Sequence, residues 1–249
     1  MDRLLEATAR AERDHFWFRG FRRFVEPLLA EVAADSRTLL SLDCGCGTGN
    51  NLPLFRRFGR AAGIDITWSG LAYARRVGER QVACASAAAL PFAAAQFDLV
   101  ASFDVLYAFD DEMERAALDE MYRVLRPGGH LIVNVAALAA LTGNHSILGG
   151  EVRRYHRREL RDHLVQTGFE LRRLTYTNFT LLPLVASVRC AQRFIGHKES
   201  DREIRVPTAP VNALLSGMLA VEAAATRVVN MPLGSSLLAL ARKPEQAGV

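Results

Sequence analysis

The central part of the chain alternates short apolar runs with stretches in which apolar residues recur every three or four positions. The short runs contain few interleaved polar residues, which is typical of strands that helices cover on both faces. The periodic stretches are typical of helices that bury one face. The pattern predicts strands over 38–43, 61–65, 81–85, 97–102 and 130–135, and helices over 50–58, 68–77, 111–125 and 157–167.

The two ends of the chain extend this alternation differently. Helical spacing over 2–34 predicts one or two helices before the first strand. Towards the other end, "FELRRLTYTNF" at 169–179 and "SSLLALARK" at 235–243 have the pattern of strands. Two helical stretches, over 181–195 and 211–229, lie between them and are joined by a charged linker, which indicates an insertion before the last strand.

Strands and helices that alternate in this way build a parallel, doubly wound sheet. The sequence therefore predicts an α/β fold class, a doubly wound Rossmann-like seven-stranded sheet with an N-terminal helical lid and a helical insertion before the last strand. We expect a single domain over 1–249, in which 1–35 form the lid, 36–178 and 235–243 the core, and 179–234 a helical cap.

Composition and charge add few constraints. A chain of 249 residues, half of them hydrophobic, can form one domain with a substantial core. The net charge of +4 is mild, but basic residues cluster at 19–23 and 152–161. Such clusters are either solvated helix faces or contacts for anionic groups and acidic lipid surfaces.

The cysteines and the N-terminus bear on location. Cys44, Cys46, Cys84 and Cys190 match no zinc spacing, so we expect reduced thiols and no metal. The N-terminal stretch has no apolar leader, and the longest uncharged run is too short to span a bilayer. These features together predict a cytoplasmic protein.

The stretch "LLSLDCGCGTGNNLPLF" joins the first predicted strand to the first predicted helix through a glycine loop. Gly45, Gly47 and Gly49 permit positive φ and a close approach of a ligand to the backbone. The dinucleotide fingerprint requires a glycine where this chain has Asn50, so a pyrophosphate of the NAD type is disfavoured. Asp43, directly before the loop, instead suits a ligand with a cationic end.

The second predicted strand ends in Asp65, about 20 residues beyond the loop, where a carboxylate accepts hydrogen bonds from both hydroxyls of a ribose. The ligand should therefore have a ribose, a positively charged part and no phosphate. S-adenosyl-L-methionine meets these three conditions.

The stretches "LDCGCGTGN", "GIDIT", "ALPFAAAQFDLVASFDVLYAF" and "LDEMYRVLRPGGHLIVNV" cover roughly 38–136, in order and at typical spacing. In them the chain resembles class I S-adenosylmethionine-dependent methyltransferases of the small-molecule type, similar to methyltransferase domain 11. The resemblance implies that the loop and the carboxylate before it hold the methionine end of the cofactor, that Asp65 holds the ribose, and that Ser102–Phe103 lie along the cofactor. The residues implied at the methionine end are Asp43, Gly45, Cys46, Gly47 and Asn50.

One position departs from the family pattern. Family members usually have an aspartate four residues before "LPF", where it accepts a hydrogen bond from the adenine amino group, and this chain has Ser86 there. A hydroxyl accepts this bond more weakly than a carboxylate. We therefore expect the adenine contact to depend more on the backbone and on apolar contacts with Ile66 and Ala85.

A bacterial subgroup of this family shows a weaker resemblance at "HFWFRGFRR" and "GNHSILGGEVRRY", and its mostly undefined substrates assign none to this chain. The first stretch contains aromatic residues that are too apolar for free solvent. They either pack on the domain edge or close over the cofactor, with Trp17 in the lid and Arg19 or Arg22 meeting the cofactor carboxylate. The lid interpretation predicts that deletion of 1–24 abolishes cofactor binding and leaves the core folded.

Three residues are candidates for the chemistry, although methyl transfer can proceed by positioning alone and needs a base only for some acceptors. His145 is either a general base or an ordinary loop histidine. Tyr155, with Arg153 or Arg154, either orients an anionic or carbonyl substrate or belongs to a basic helix start. Tyr107 either contacts substrate or packs in the core.

The predicted helix over 211–229 has an apolar stripe that Glu222 interrupts. A buried glutamate needs a partner, so Glu222 either pairs with an arginine or works in a substrate pocket. The cap helices suggest a hydrophobic pocket, a homodimer surface or peripheral membrane contact, and they favour a lipophilic substrate. The other members of the predicted stripe are Val211, Leu215, Met218, Ala225 and Val229.

The leading hypothesis is an enzyme that moves the methyl group of S-adenosyl-L-methionine to an O, N or C atom of a small molecule. A non-catalytic module that binds the same cofactor is the alternative that Ser86 and the missing base leave open. A nucleic-acid methyltransferase is disfavoured because the chain has no N-P-P-Y motif for holding a flipped base, so no nucleic acid partner is expected. An NAD-dependent oxidoreductase fails on the glycine spacing.

Overall fold

A computed structural model describes residues 9, 11–34, 38–138, 152–187 and 206–245 of the chain. Seven strands form one sheet in the order β3-β2-β1-β4-β5-β7-β6, and only β7 runs antiparallel to its neighbours. This architecture confirms the predicted Rossmann-like α/β fold. The strands are β1 (Leu39–Cys44), β2 (Gly59–Asp65), β3 (Val82–Cys84), β4 (Phe97–Phe103), β5 (Leu125–Ala136), β6 (Glu170–Thr177) and β7 (Ser236–Arg242).

Helices cover both faces of the sheet, because buried apolar residues form one cluster on each side. One cluster includes the apolar faces of α4 and α5, and the other includes those of α1, α2 and α3 together with part of α6. The helices are α1 (Phe16–Ala34), α2 (Leu52–Arg56), α3 (Trp68–Arg76), α4 (Asp111–Val124), α5 (Arg157–Gln166) and α6 (Ala209–Ala225).

Strand β5 begins earlier than the sequence pattern predicts. The "RPGG" stretch at 126–129 has the composition of a turn, yet the structure includes it in the strand. The pairing of β4 with β5 shifts register between Phe97 and Leu99, so this irregularity accommodates the extra residues. A β-bulge of this kind uses turn-forming residues without ending the strand.

The order of the strands brings the ends of β1, β2 and β4 to one edge of the sheet. Cys44 at the end of β1 pairs with Ile64 of β2 on one side and with Ser102 of β4 on the other. The chain leaves β1 for β2 and β3 and then crosses back to β4, which makes the end of β1 the topological switch point. Ligands of open α/β sheets bind in the crevice at this place.

The second half of α1 belongs to the core of the domain. Phe24, Val25, Leu28 and Leu29 of this helix are buried in the cluster on its side of the sheet. A separable lid therefore cannot extend to residue 35, and a deletion of 1–24 would remove part of the core. Only the residues before and around the start of α1 can act as a lid without loss of the core.

Helix α6 packs on α1 with a different face from the one predicted. Its buried residues include Asn212, Ser216 and Leu219, whereas Val211 is 46% exposed and Val229 beyond the helix is 56% exposed. The reason is polar anchoring, which an apolar-stripe analysis does not detect. Asn212 donates to the carbonyl of Asp14 (2.9 Å) and accepts from the amide of Phe16 (2.8 Å), and Leu219 lies against Gly20.

Glu222 is buried, but neither predicted role describes it. Its carboxylate accepts hydrogen bonds from the backbone amides of Phe179 (2.8 Å) and Thr180 (2.9 Å) and from the Thr180 hydroxyl (2.6 Å). These donors lie just before a helical segment at 182–187, so Glu222 ties α6 to the chain that follows β6. The donors are amides and a hydroxyl, not an arginine.

The outward face of α6 is apolar. Leu214 is 66% and Val221 is 71% exposed on it. Within the described ranges, no helix combines the length and apolar character needed to cross a membrane. Contact of this face with a membrane surface or with a second copy of the chain stays a prediction.

Candidate active site

The glycine loop lies at the switch point, and hydrogen bonds to β2 fix its first residues. The backbone amides of Gly45 and Cys46 both donate to the carbonyl of Ile64, at 2.8 and 2.9 Å. Gly45 has φ +90°, and a Cβ built on it would lie 2.1 Å from Val105 Cγ2. Gly47 has φ +51°, but a Cβ there would meet nothing within 4 Å. The loop is therefore tightly packed at its base and open at Gly47, where a ligand can approach the backbone.

The two cysteines of the loop are packing residues. Cys44 is fully buried, and the side chain of Cys46 lies against Gly63, where a built Cβ would come within 2.7 Å of Sγ. Burial raises the pKa of both thiols far above the ordinary range, with a smaller contribution from Asp43. Cys46 can therefore meet a cofactor only through its backbone.

Asp65 connects the end of β2 to the glycine loop. One carboxylate oxygen accepts from the amide of Gly47 at 2.8 Å, and the other accepts from the amide of Thr67 at 2.7 Å. A carboxylate offers about four acceptor positions, so both oxygens can accept a further hydrogen bond each. This geometry suits the predicted contact with two ribose hydroxyls.

Asp43 is a buried carboxylate at the end of β1. The residue is 1% exposed, and neither carboxylate oxygen has a hydrogen-bond partner among the residues that the structure describes. Burial raises the pKa of this carboxyl from 3.8 to about 7, and the neighbouring Asp65 adds to the shift. An unpartnered buried carboxylate is unfavourable, so the position fits a ligand that brings N–H donors or positive charge.

The titration of Asp43 gives a testable pH dependence. Lowering the pH from 8 to 6 should weaken the binding of S-adenosylhomocysteine about tenfold, because a carboxyl with a pKa of about 7 loses most of its negative charge over that interval. Calorimetry at several pH values measures this change. The Asp43→Asn variant controls for titration of the ligand, and an identical pH profile for variant and wild type would contradict the assignment.

The same pKa determines how stability changes with pH in the ligand-free protein. Between pH 3.8 and about 7 the folded protein keeps a proton on Asp43 that the unfolded chain has released. The contribution of Asp43 to the free energy of unfolding is therefore fully present below this interval and falls as the pH rises through it.

The residues before and around the start of α1 cover the glycine loop. Glu12 accepts from the Thr48 hydroxyl at 2.9 Å and also from the Asn50 side chain, which in turn donates to the carbonyl of Ala9 at 3.2 Å. A cavity of about 190 Å³ lies between these residues and the sheet edge. The covering segment, the glycine loop and the end of β4 all contribute to its lining, which consists of Glu12, Trp17, Phe18, Phe21, Arg22, Gly45, Cys46, Gly47, Thr48, Asn50, Asn51, Phe103 and Asp104.

The structure decides between the two arginines considered for this cavity. Arg22 lines it, whereas Arg19 does not. One guanidinium nitrogen of Arg22 donates to the carbonyls of Glu12 (2.9 Å) and Arg13 (3.2 Å). Arg22 therefore fixes the backbone of the covering segment as well as placing positive charge at the cavity wall.

The end of β4 supplies a residue that the sequence analysis did not identify. Asp104 lines the cavity and has a left-handed φ of 57°, which is costly for a residue other than glycine and recurs at functional sites. Its carboxylate accepts from the Asn134 side chain at 2.9 Å. The sequence analysis expected Ser102–Phe103 to lie along the cofactor and stopped one residue before Asp104. Phe103 is only 7% exposed because its ring contacts those of Phe21 and Phe55. The missed signal was the aspartate at the strand end.

The residues predicted for the adenine lie beside the ends of β2 and β3. Ile66 is 70% exposed, which is unusual for its size and leaves an apolar surface available. The amide of Ala85 donates to the carbonyl of Asp65 at 3.1 Å. The Ser86 hydroxyl accepts from the amide of Ala88 at 3.2 Å, so its acceptor capacity is partly used within its own turn.

Residues 42–133 match the sequence model of the methyltransferase domain family. The match begins in β1 and ends in β5, so it includes the glycine loop, Asp65 and the end of β4. This stretch of the chain is a methyltransferase domain of the class I S-adenosylmethionine-dependent type. The cofactor of this family is S-adenosyl-L-methionine, and the open backbone at Gly47 and the unpartnered Asp43 fit it.

Relatives of this chain differ in what their names say they modify. It is 37% identical over 123 residues to the malonyl-[acyl-carrier protein] O-methyltransferase of Enterobacter lignolyticus, covering 48% of this chain and 47% of that protein. It is 35% identical over 126 residues to the ubiquinone/menaquinone biosynthesis C-methyltransferase of Klebsiella pneumoniae, covering 46% and 49%. A probable tRNA methyltransferase 9B of Homo sapiens is 35% identical over 100 residues, covering 40% and 22%.

The chain spans about half the length, or less, of these three relatives. Among solved structures, an S-adenosylmethionine dependent methyltransferase from Mesorhizobium loti superposes with a TM-score of 0.55 at 17% identity, covering 87% of this chain and 96% of that one. This likeness shows that the fold is shared.

The structure describes two of the three candidates for the chemistry, and they lie in different settings. Tyr107 is half-buried beside the core, and its carbonyl accepts from the amides of Val152 (2.9 Å) and Arg153 (3.2 Å). Tyr155 is fully buried, and its hydroxyl donates to the carbonyl of Leu106 at 3.2 Å. A direct substrate contact through Tyr155 therefore has no support from its position. His145 lies outside the described residues.

The arginines beside Tyr155 are also engaged. Arg153 donates to Glu114 at 2.9 Å and contacts Asp111, and Glu114 in turn contacts His163 at 2.9 Å. Arg154 donates to the carbonyl of Ala137 at 3.1 Å. These bonds fix the segment after 152 against α4 and α5. They support a structural role for this segment and not the predicted orientation of a substrate.

Proposed function

We propose that this methyltransferase moves the methyl group of S-adenosyl-L-methionine to an O, N or C atom of a small molecule. The observation that carries the proposal is the group of features at one sheet edge: the open backbone at Gly47, the unpartnered carboxylate of Asp43 and the carboxylate of Asp65. A cationic amino acid joined to a ribose has one complementary group for each of them.

Each part of the cofactor has residues that would hold it. Asp43 and the backbone around Gly47 would bind the methionine end, and Asp65 would bind the ribose. Ile66 would cover the adenine. When bound, the cofactor would supply an electrophilic methyl group on its sulfonium: the acceptor atom bonds to this carbon in line while the carbon–sulfur bond breaks and S-adenosylhomocysteine leaves. The protein's contribution is then to position the acceptor and exclude water, and positioning alone lowers such a barrier substantially.

A small acceptor is favoured over a nucleic acid by the way the N-terminal residues cover the site. Glu12 and Trp17 lie over the glycine loop and leave a cavity of about 190 Å³. A base attached to a polynucleotide would have to pass this covering segment to enter the cavity beside the cofactor. The name of the quinone methyltransferase agrees with a small, lipophilic acceptor, whereas the name of the carrier-protein methyltransferase describes a small acyl group attached to a protein.

The acceptor class can be tested by following a labelled methyl group. The protein is incubated with S-adenosyl-L-methionine carrying a radioactive methyl group and with a cell extract separated into small molecules, protein and RNA. We expect label in the small-molecule fraction and none with Asp65→Ala. Label confined to RNA or protein would contradict the proposal. Binding of S-adenosylhomocysteine without label in any fraction would support the non-catalytic alternative.

A further inference from the structure

A second cavity, of about 520 Å³, lies between α1 and the glycine loop and adjoins the cofactor cavity. Arginines dominate its lining, and we call it the arginine groove after them. Thr48 and Asn50 of the glycine loop also line it, and with Arg22 they are shared with the cofactor cavity. The arginines of the groove are Arg13, Arg19, Arg22, Arg23 and Arg57.

The acidic residues of the groove are already neutralised. Glu26 pairs with Arg57 at 2.6 Å. The carboxylate of Glu79 accepts hydrogen bonds from both terminal nitrogens of Arg56, at 2.5 and 2.6 Å. These two pairs leave the positive charge of the other four groove arginines without a carboxylate partner inside the groove.

The remaining arginines keep their charge available. One guanidinium nitrogen of Arg23 donates a hydrogen bond to the carbonyl of Ser216, at 2.8 Å. One nitrogen of Arg22 likewise donates to backbone carbonyls. Bonds to neutral carbonyls leave a guanidinium fully charged. Arg13 and Arg19 are exposed, and within the described part of the chain neither side chain has a hydrogen bond or ion pair.

The charges in the groove also oppose one another. Burial lowers the pKa of the Arg22 guanidinium, and repulsion from Arg19 adds to the shift, while Glu12 and Asp14 act against it. An anion placed between Arg19 and Arg22 would relieve this repulsion. A planar guanidinium group can donate two parallel hydrogen bonds to two oxygens of one phosphate. A groove lined by several arginines is therefore a typical phosphate-binding site.

We propose that the arginine groove binds the phosphate or diphosphate group of a small ligand. On the side of the glycine loop, the Thr48 hydroxyl and the Asn50 side chain already donate to Glu12, so the arginines are the donors that the groove offers to a phosphate. Pro53, Leu54 and the 42%-exposed Val77 give the groove an apolar wall on which a hydrocarbon attached to the phosphate can lie. This ligand would be the methyl acceptor, an identification that rests on the proposed function.

Calorimetry with inorganic pyrophosphate tests the groove directly. The titration uses full-length protein saturated with S-adenosylhomocysteine, because the cofactor carboxylate is the other anion that could occupy this region. We expect pyrophosphate to bind, and we expect Arg13→Gln combined with Arg19→Gln to weaken it at least tenfold while leaving the affinity for S-adenosylhomocysteine unchanged. Exclusion of pyrophosphate by S-adenosylhomocysteine would overturn the proposal.

A matched control removes the same charge elsewhere. Arg158, 86% exposed at its side chain on α5, and Arg172, 46% exposed on β6, are changed together to glutamine. This variant should bind pyrophosphate within about twofold of wild type, by the general rule that distant surface charges are screened. Equal loss in both double variants would show a nonspecific charge effect and overturn the proposal.

Two further titrants identify the source of the phosphate. An alkyl diphosphate that binds at least tenfold more tightly than pyrophosphate supports an organic phosphate ester as ligand, and equal affinities support the free anion. An RNA oligonucleotide that millimolar pyrophosphate does not displace, and that the groove variant no longer binds, would assign the groove to nucleic acid and overturn the proposal. Failure of S-adenosylhomocysteine binding in the wild type would instead count against the proposed function.

Discussion

The Asp65→Ala variant is expected to bind S-adenosylhomocysteine at least about 100-fold more weakly than the wild type. The substitution removes the acceptors for two ribose hydroxyls, and hydrogen bonds to a charged group contribute about 1.5–3 kcal/mol each. It also removes the bond that holds the amide of Gly47, at 2.8 Å. Calorimetry measures the affinity, and thermal unfolding shows that the variant remains folded.

Asp98→Ala is the matched control for that experiment. Asp98 also accepts from a backbone amide, that of Leu40 at 2.7 Å, and pairs with Arg126 at 2.7 Å. It lies near the start of β4, whereas the cofactor site lies at the opposite ends of the strands. This variant should lose stability and keep its affinity for S-adenosylhomocysteine. Normal binding by Asp65→Ala, or equal loss in both variants, would show that the ribose assignment is wrong.

A chain that begins at Phe16 is expected to stay folded and to bind S-adenosylhomocysteine at least about tenfold more weakly. The truncation removes Glu12, whose carboxylate contacts Thr48 and Asn50, and it opens one wall of the cavity. It keeps Phe24 and the rest of α1 that lie in the core. Circular dichroism reports the fold and calorimetry the affinity.

Trp17→Ala tests the same covering segment without a truncation, in case the shortened chain does not fold. Removing a large side chain from a ligand-covering position costs about 1.5–3 kcal/mol, which corresponds to at least a tenfold weaker affinity. Glu26→Gln serves as the control, because Glu26 pairs with Arg57 in the arginine groove and does not line the cofactor cavity. Unchanged affinity in both the truncated chain and Trp17→Ala would contradict the lid.

The sequence was sufficient to predict the sheet and the proximity of the glycine loop to Asp65. Asp43 and Asp65 occur at strand ends and Gly47 lies in the loop directly after β1, and strand ends are visible in the hydrophobic pattern. Because a doubly wound sheet brings these ends to one edge, their proximity follows from topology alone.

The rest of the site could not be predicted because it depends on contacts between distant segments. Glu12 meets Thr48 across 36 positions, and Asn212 meets Asp14 across 198. Neither contact leaves a periodic signal in the sequence. For Tyr155 the sequence left a substrate contact and a structural role open, and its complete burial supports the structural role.

A crystal structure of the protein with S-adenosylhomocysteine tests the central claim most directly. We predict that the ribose hydroxyls lie within hydrogen-bond distance of the Asp65 carboxylate, and that the amino-acid end lies against Gly47 with its ammonium group beside Asp43. The sulfur should face the cavity that Trp17 and Asp104 line. A ligand bound away from the ends of β1 and β2, or bound there with its ribose remote from Asp65, would contradict the account.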